Sequence, residues 1–241
     1  MFFLLAYNWL TLHTSIQPVN ILRLAFSILL VVSGCHSFAQ FSVATDASLL
    51  KNLSNHQKFW AFGQTVQLNF YPGGEKNAVY AWISYYTSGK FKNNFIAGAK
   101  DPLTVPSEIG YMAHTDIRYR QLSLGWKHYF VGAYNSENIW NVYGYAGFGL
   151  LLGKASNSFN KIVDTSLYNV SQPMEGSSAF KRLTVDGGLG TEFPLGTAVF
   201  VYSEVRTWLP TSHYPSQYLY KNNYNIPEVL AVNVGLRVLI E

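Results

Sequence analysis

From Gln40 onward, apolar and polar residues alternate with a period of two. Successive side chains of a strand point to opposite faces, so such runs predict strands with one apolar face. Eight runs carry the pattern, approximately 41–50, 59–70, 78–88, 117–130, 139–153, 181–193, 198–209 and 229–241. The last is the clearest. Leu230, Val232, Val234, Leu236, Val238 and Ile240 share one face, with Ala231, Asn233, Gly235, Arg237 and Glu241 on the other. The sixth sets Leu183, Val185, Leu189 and Phe193 against Thr184, Asp186, Gly188, Gly190 and Glu192. The third is ambiguous: Val79, Ala81 and Ile83 compete with Tyr80, Trp82 and Tyr86 for the apolar face. No stretch sustains a helical period.

The connections separate into two classes. Residues 71–77, 131–138 and 194–197 are short and rich in Gly, Pro and Asn, which predicts tight turns. Residues 89–116, 154–180 and 210–228 are long and polar, while the first connection, near 51–58, is modest. A soluble sandwich or lipocalin-like binder has no reason to place long and short loops at opposite ends. A transmembrane barrel does, with short periplasmic turns and longer extracellular loops. In lipid every backbone polar group must be bonded, so strands span only when closed into a barrel. About 9–11 residues suffice for a tilted strand, close to the length of these runs. The expected fold is all-β, an eight-stranded antiparallel up-and-down transmembrane β-barrel over 40–241, preceded by an N-terminal signal peptide.

These residues bring a resemblance. The Ser37-Phe38-Ala39-Gln40 junction, Gly-x-Gly strand segments such as Gly147-Phe148-Gly149, and the alternating final strand resemble the small eight-stranded outer-membrane barrels of the OmpA/OmpX type. In style the chain is most similar to the outer membrane beta-barrel domain proteins of Bacteroidetes. The resemblance is one of pattern over roughly 41–241. It implies outer-membrane localisation, export by the Sec pathway, assembly by the barrel-assembly machinery, and contact with outer-membrane lipid and lipopolysaccharide. Such barrels often end in an aromatic residue, whereas this chain ends Leu239-Ile240-Glu241.

Composition sharpens the picture. Charged residues are 12% of the chain, against roughly 25% in soluble domains. Aromatics reach 16%. One Cys excludes a disulfide scaffold. Lys and Arg number 17 against 13 Asp and Glu, and the excess forms no basic stripe, so no nucleic-acid partner is expected.

Residues 1–39 read as an N-terminal extension plus a Sec signal peptide. Arg23 is their one charge, an apolar h-region follows at about 24–32, and small residues precede Gln40. The apolar run is too short to cross a hydrocarbon core. Val32-Ser33-Gly34-Cys35 also resembles a lipobox, which would lipidate Cys35. The stretch Phe2–Leu10 is odd ahead of a signal, and a start near Ile21 or Leu22 would explain it.

The polar face supplies the candidate site. Asp46, Gln67, Asn69, Lys127, Asp186, Glu192, Glu204, Arg206, Asn233 and Arg237 are expected in the lumen. Among them Lys127, Asp186, Glu192, Glu204, Arg206 and Arg237 are expected to form an ion-pair network. The turn at 194–197 places Asp186 opposite Glu204 or Arg206, with Arg237 completing the group. Trp60, Tyr71, Trp126, Tyr129, Trp140, Tyr202 and Trp208 lie near run ends and are expected as interfacial girdles. Tyr214, Tyr218, Tyr220 and Tyr224 make the last loop a candidate recognition surface.

Enzymatic chemistry finds little support. Gly187-Gly188-Leu189-Gly190 sits in a strand pattern, without the context of a phosphate loop. His56, His114, His128 and His213 lack metal-ligand spacing. His213, near Ser212 and Ser216, has no acidic orienter beside it in sequence. The expectation is a non-enzymatic barrel, a monomer with no catalytic residue, cofactor or metal. Its role would be structural or surface-interacting through loops 89–116, 154–180 and 210–228, with an unidentified extracellular ligand. A narrow solute channel is the alternative, and a lipid-modifying barrel enzyme ranks below it.

Overall fold

The computed structural model describes residues 40–53, 57–137, 139–170, 173–211, 217–219 and 229–240. The signal-peptide reading of 1–39, Cys35 included, lies outside the described residues. So do His56, Ser212, His213, Tyr214, Ser216, Tyr220 and Tyr224.

The described residues form ten strands: β1 (Gln40–Asn52), β2 (Phe59–Tyr71), β3 (Asn77–Tyr86), β4 (Gly89–Ala99), β5 (Glu108–Val131), β6 (Asn141–Phe159), β7 (Tyr168–Asn169), β8 (Gly176–Pro194), β9 (Val199–Pro210) and β10 (Val229–Ile240). Eight of them close a barrel in the antiparallel order β1-β2-β3-β5-β6-β8-β9-β10, with β10 returning to β1. β4 continues β3 along the same neighbour, β5, after a one-residue change of register between them.

The register fixes the geometry. One row of paired residues runs from Leu230 through Thr207, Gly187, Ala146, Trp126, Val79, Phe70 and Phe41. It returns to the starting strand at Ile240, displaced by ten residues. At ordinary strand spacing and rise, that stagger tilts the strands by roughly 40° from the barrel axis. Eight strands leave an interior filled by side chains.

Alternation then divides the barrel wall. Phe62 (69% exposed), Phe148 (74%) and Leu189 (64%) lead an apolar outer surface that includes all six apolar residues of the last run. Inside lie Ser42, Asp46, Thr65, Gln67, Asn69, Ser84, Gln121, Asn233 and the charged residues. Pairing settles the third run. Ser84 faces Thr65 and bonds it at 2.7 Å, so Tyr80, Trp82 and Tyr86 point inward and Ile83 and Tyr85 outward.

Toward the long connections the pattern reverses sign. On β5 the outward row changes from Trp126, Leu124 and Leu122 to Arg120, Arg118 and Asp116. On β6 it changes from Leu152 to Lys154, and on β8 from Leu183 to Lys181. The inward row becomes apolar at the same height, with Tyr119 and Ile117 beyond Gln121. At this height the outer face is polar and the inner face apolar, the arrangement of a barrel wall that meets water.

That reversal corrects one expectation about the connections. Residues 89–116 and 154–180 are not mainly loops. Gly89–Gly98 pairs with Glu108–Ile117, and pairs such as Ala113 with Phe159 and Lys154 with Ala179 continue β5, β6 and β8 above the apolar band. A core of their own joins Ala97, Tyr111, Val163 and Tyr168. A second correction concerns register. The turn after β8 is longer than 194–197: Leu195 N–H donates to Val199 O, and Pro194 pairs with Phe200. Asp186 therefore lies opposite Trp208, not opposite Glu204 or Arg206, which face Gly190 and Gly188.

Candidate functional site in the barrel lumen

Strand parity brings the six charged candidates into the lumen, none more than 2% exposed. They do not form one group. The lumen is layered.

Nearest the short turns, Glu192 of β8 is the hub. Arg237 of β10 donates to its Oε2 from Nη2 (2.8 Å) and Nε (3.2 Å), and Lys127 Nζ of β5 lies 3.5 Å from Oε1. Tyr129 Oη donates to the same carboxylate at 3.2 Å. Arg237 also donates to Tyr71 Oη (3.2 Å) and the Tyr134 carbonyl (2.7 Å), with its guanidinium 3.9 Å from the Phe200 ring. Lys127 lies 3.9 Å over Tyr143. A buried pair is stable only when its remaining donors and lone pairs are bonded, and here each nitrogen of Arg237 and both oxygens of Glu192 have a partner.

In the next layer Arg206 of β9 bonds its own-strand neighbour Glu204 and lies 3.8 Å from Asp46 of β1. It donates to Tyr145 Oη (3.1 Å), Ser84 Oγ (3.2 Å) and Thr65 Oγ1 (3.3 Å), and rests on Trp82. Glu204 accepts from Tyr143 Oη (3.1 Å) and Asn233 Nδ2 (3.0 Å). Asp46 accepts from Tyr202 Oη and Ser48 Oγ, each at 2.9 Å.

Asp186 stands apart. Its Oδ1 accepts from Gln121 Nε2 and Thr184 Oγ1, both at 2.7 Å, while Oδ2 has no hydrogen-bond partner among the described residues. Gln67 and Asn69 belong to a third small chain, Gln67 donating to Asn69 at 2.6 Å and Asn69 to Ser42 at 3.0 Å.

Above the ions, toward the long connections, the lumen is apolar. Leu50, Phe59, Tyr86, Ile117, Leu151, Phe180 and Trp208 are among the side chains that fill it. The polar-row reading of the sequence missed this layer, because Leu50 and Trp208 share the parity of Asp46 and Arg206. The signal was present in Tyr119, Ile117 and Phe180, which keep the inward parity of Gln121 and Thr184.

Of the girdle residues, Trp60 (56% exposed), Trp126 and Trp140 face outward. Tyr71, Tyr129, Tyr202 and Trp208 do not: all four are buried in the lumen. Parity is the reason. Tyr202 and Trp208 have the parity of Glu204 and Arg206, Tyr129 that of Lys127, and Tyr71 that of Gln67 and Asn69. Glycines make room for such rings. Tyr143 and Tyr145 pair with Gly190 and Gly188, and Tyr80 with Gly125, positions where a Cβ would collide with the phenol.

Among the recognition candidates, Tyr218 is described, and its carbonyl accepts from Asn157 at 2.8 Å. His128 faces outward near the short turns, 2.8 Å from Asn77 Oδ1, and His114 lies on β5 above the band. Among the described residues no group of His, Cys, Asp and Glu has an arrangement that could hold a metal ion. In the crown, Asp164 accepts from Ser166 Oγ (2.6 Å) and Ser166 N–H (2.8 Å), which holds its carboxyl below the ordinary value of 3.8.

No protein-family model matches the chain, and no curated protein matches it in sequence. Solved structures similar to it in fold include Neisserial surface protein A, at 15% identity and TM-score 0.44, covering 84% of this chain and 99% of that one. OprG from Pseudomonas aeruginosa is 12% identical with TM-score 0.45, covering 86% and 98%. A major outer membrane protein from Thermus thermophilus is 12% identical with TM-score 0.45, covering 85% and 100%. The register closes this chain into a small eight-stranded antiparallel β-barrel.

Proposed function

We propose that this chain is a non-enzymatic outer-membrane barrel with a sealed lumen, acting through the strand-built crown above the membrane. The layering of the lumen carries this reading: two bonded ion-pair layers lie in series with the apolar layer of Leu50, Phe59, Ile117, Leu151, Phe180 and Trp208. Hydrated ions crossing such a stack would have to displace both fixed charges and packed rings. The apolar outer band supports a lipid environment, and the strand extensions support a role outside it. β5 has 24 residues, well beyond the roughly 9–11 that a tilted strand needs to span.

Single-channel recording on the refolded protein in a planar bilayer tests the seal. The expected result is no steady conductance above the bilayer baseline. Steady nanosiemens conductance would overturn it in favour of the solute channel.

A further inference from the structure

The charges buried in the lumen do not balance. Among the described residues they are Asp46, Asp186, Glu192 and Glu204 against Lys127, Arg206 and Arg237. Arg206 serves Asp46 and Glu204, while Arg237 and Lys127 serve Glu192. Asp186 is the carboxylate left over, and among the described residues no cation lies within ion-pairing distance of it. Arg182, the nearest cation along its own strand, is only half-buried, level with Leu151 of the apolar layer. An ionised carboxylate enclosed without a counter-charge is far more costly than a neutral polar group in the same place.

The surroundings of Asp186 treat it as ionised. Its Oδ1 accepts two hydrogen bonds of 2.7 Å, from Gln121 Nε2 and Thr184 Oγ1, the short distance of bonds to a charged acceptor. Glycines set where Oδ2 points. It rests over Gly149 of β6, where a Cβ would meet it. Two residues along the same face, Gly147 lies under Tyr80 Oη in the same way. Ser123 pairs with Gly149 and neighbours both groups. Tyr80 and Gln121 are buried, at 1% and 0% exposure. Tyr80 Oη and Gln121 Oε1, like Asp186 Oδ2, have no hydrogen-bond partner among the described residues. These unpartnered oxygens gather in one slab of the lumen, beside the hydroxyls of Ser123 and Thr184.

Oxygens of this kind suit a hard cation. A proton on Oδ2 would cancel the charge but leave Gln121 Oε1 without a donor, whereas a cation meets several oxygens at once. The charge selects the valence: a single positive charge brings the lumen to neutrality, and a divalent ion would overshoot. Among the described residues no group of three His, Cys, Asp or Glu converges, so the donor set is not that of a transition metal. We propose that Asp186 Oδ2 binds a monovalent alkali cation of the Na+ kind, coordinated also by Gln121 Oε1, Tyr80 Oη and Ser123 Oγ. This rests on the sealed-lumen reading above. Along β8 the site lies between Gly188, the level of Arg206, and Arg182, the level of Leu151, so the cation is enclosed between the second ion-pair layer and the apolar layer.

Equilibrium urea unfolding of the refolded protein in uncharged detergent micelles tests this, with NaCl exchanged for N-methyl-D-glucamine chloride at constant ionic strength. A ligand held by the folded state alone shifts the equilibrium with its concentration. A roughly tenfold rise in Na+ should raise the folded-to-unfolded ratio several-fold, approaching about tenfold as the site saturates. Asp186→Asn, which keeps the shape and removes the charge, should abolish that dependence. Tyr80→Phe, which removes one ligand, should keep it with half-saturation moved to higher Na+. Should Asp186→Asn fail to fold, Tyr80→Phe alone must show this shift. A folding ratio indifferent to Na+ would overturn the proposal, since a proton or water would then meet Oδ2. So would a Na+ dependence that survives Asp186→Asn, or a larger stabilisation by Ca2+ than by Na+ that Asp186→Asn removes. Single-channel recording on the same preparation keeps the two readings distinct. A non-conducting barrel indifferent to Na+ sinks this inference alone, whereas steady conductance sinks the seal on which it rests.

Discussion

At the residue scale, Glu192 bonds Arg237, Lys127 and Tyr129 at once. Glu192→Ala strands two buried cations, so it should destabilise the barrel by about 3–5 kcal/mol. Urea unfolding followed by the heat-modifiable gel shift measures it, and a loss under about 1 kcal/mol would show that water reaches these cations. The paired glycines make a second case. A Cβ at Gly153 would meet the Phe180 ring, its partner across the ladder. Gly153→Ala should therefore cost about 1–3 kcal/mol by overpacking. Combined with Phe180→Ala, the cost should fall well below the sum of the two single changes. The Gly-x-Gly segments were legible as small residues facing a crowded interior. Which ring each admits was not, because that depends on partners far apart in sequence, as with Tyr80 over Gly147.

At the element scale, the reversal of amphipathicity along β5, β6 and β8 divides each into a part with an apolar outer face and a part with a polar one. Phe148 and Ser156 share the outward row of β6. Phe148→Arg should cost about 2–4 kcal/mol in a bilayer, as for a cation at mid-depth. Ser156→Arg should stay within about 0.5 kcal/mol, as for an ordinary surface change. Equal costs would place both positions in one environment. The crown offers a pH test. The folded carboxyl of Asp164 titrates below 3.8, so its turn is stabilised above that value and loses the contribution as pH falls through the lowered one. The Ser166 amide resonance should therefore shift with a midpoint below pH 3.8 in an NMR titration, and a midpoint above it would exclude the bond. Strand extensions were hidden in the sequence for the same reason that the spanning parts were visible. A search for apolar residues outward finds Leu122 and Leu124, carries that strand back only to Ile117, and reads Lys90, Lys92 and the rest of 89–116 as loop. The inward row of Phe91, Phe95, Tyr111 and Ile117 continues the alternation with its sign changed.

At the scale of the whole molecule, closure turns eight half-apolar strands into one structure with an apolar outside and two kinds of interior. The seals lie in series, so removing one should not open the lumen. Phe59→Ala/Phe180→Ala/Trp208→Ala should remain non-conducting in planar bilayers, and conductance in that variant would mean the ion-pair layers leak. Barrel class, strand number and the inward position of Lys127, Glu192, Glu204, Arg206 and Arg237 follow from parity, which survives any even shift of register. The pairing of Asp186 does not, because it depends on the length of the turn at Leu195–Val199.

In the proposed membrane setting, the row of Arg120 and Lys181, with Lys154 one step above it, acts as a waterline. Sinking the barrel by one pair of residues, roughly 5 Å along its axis, would drag that row into hydrocarbon. Raising it by as much would lift Leu122, Leu150 and Leu183 into water. The upper edge is thus pinned. A bilayer thicker or thinner than the apolar band must be accommodated at the opposite rim, where Trp126, His128 and Phe130 present amphipathic and aromatic rings that tolerate either medium. The protein hangs from its outer edge, and variation in membrane thickness is felt at its base.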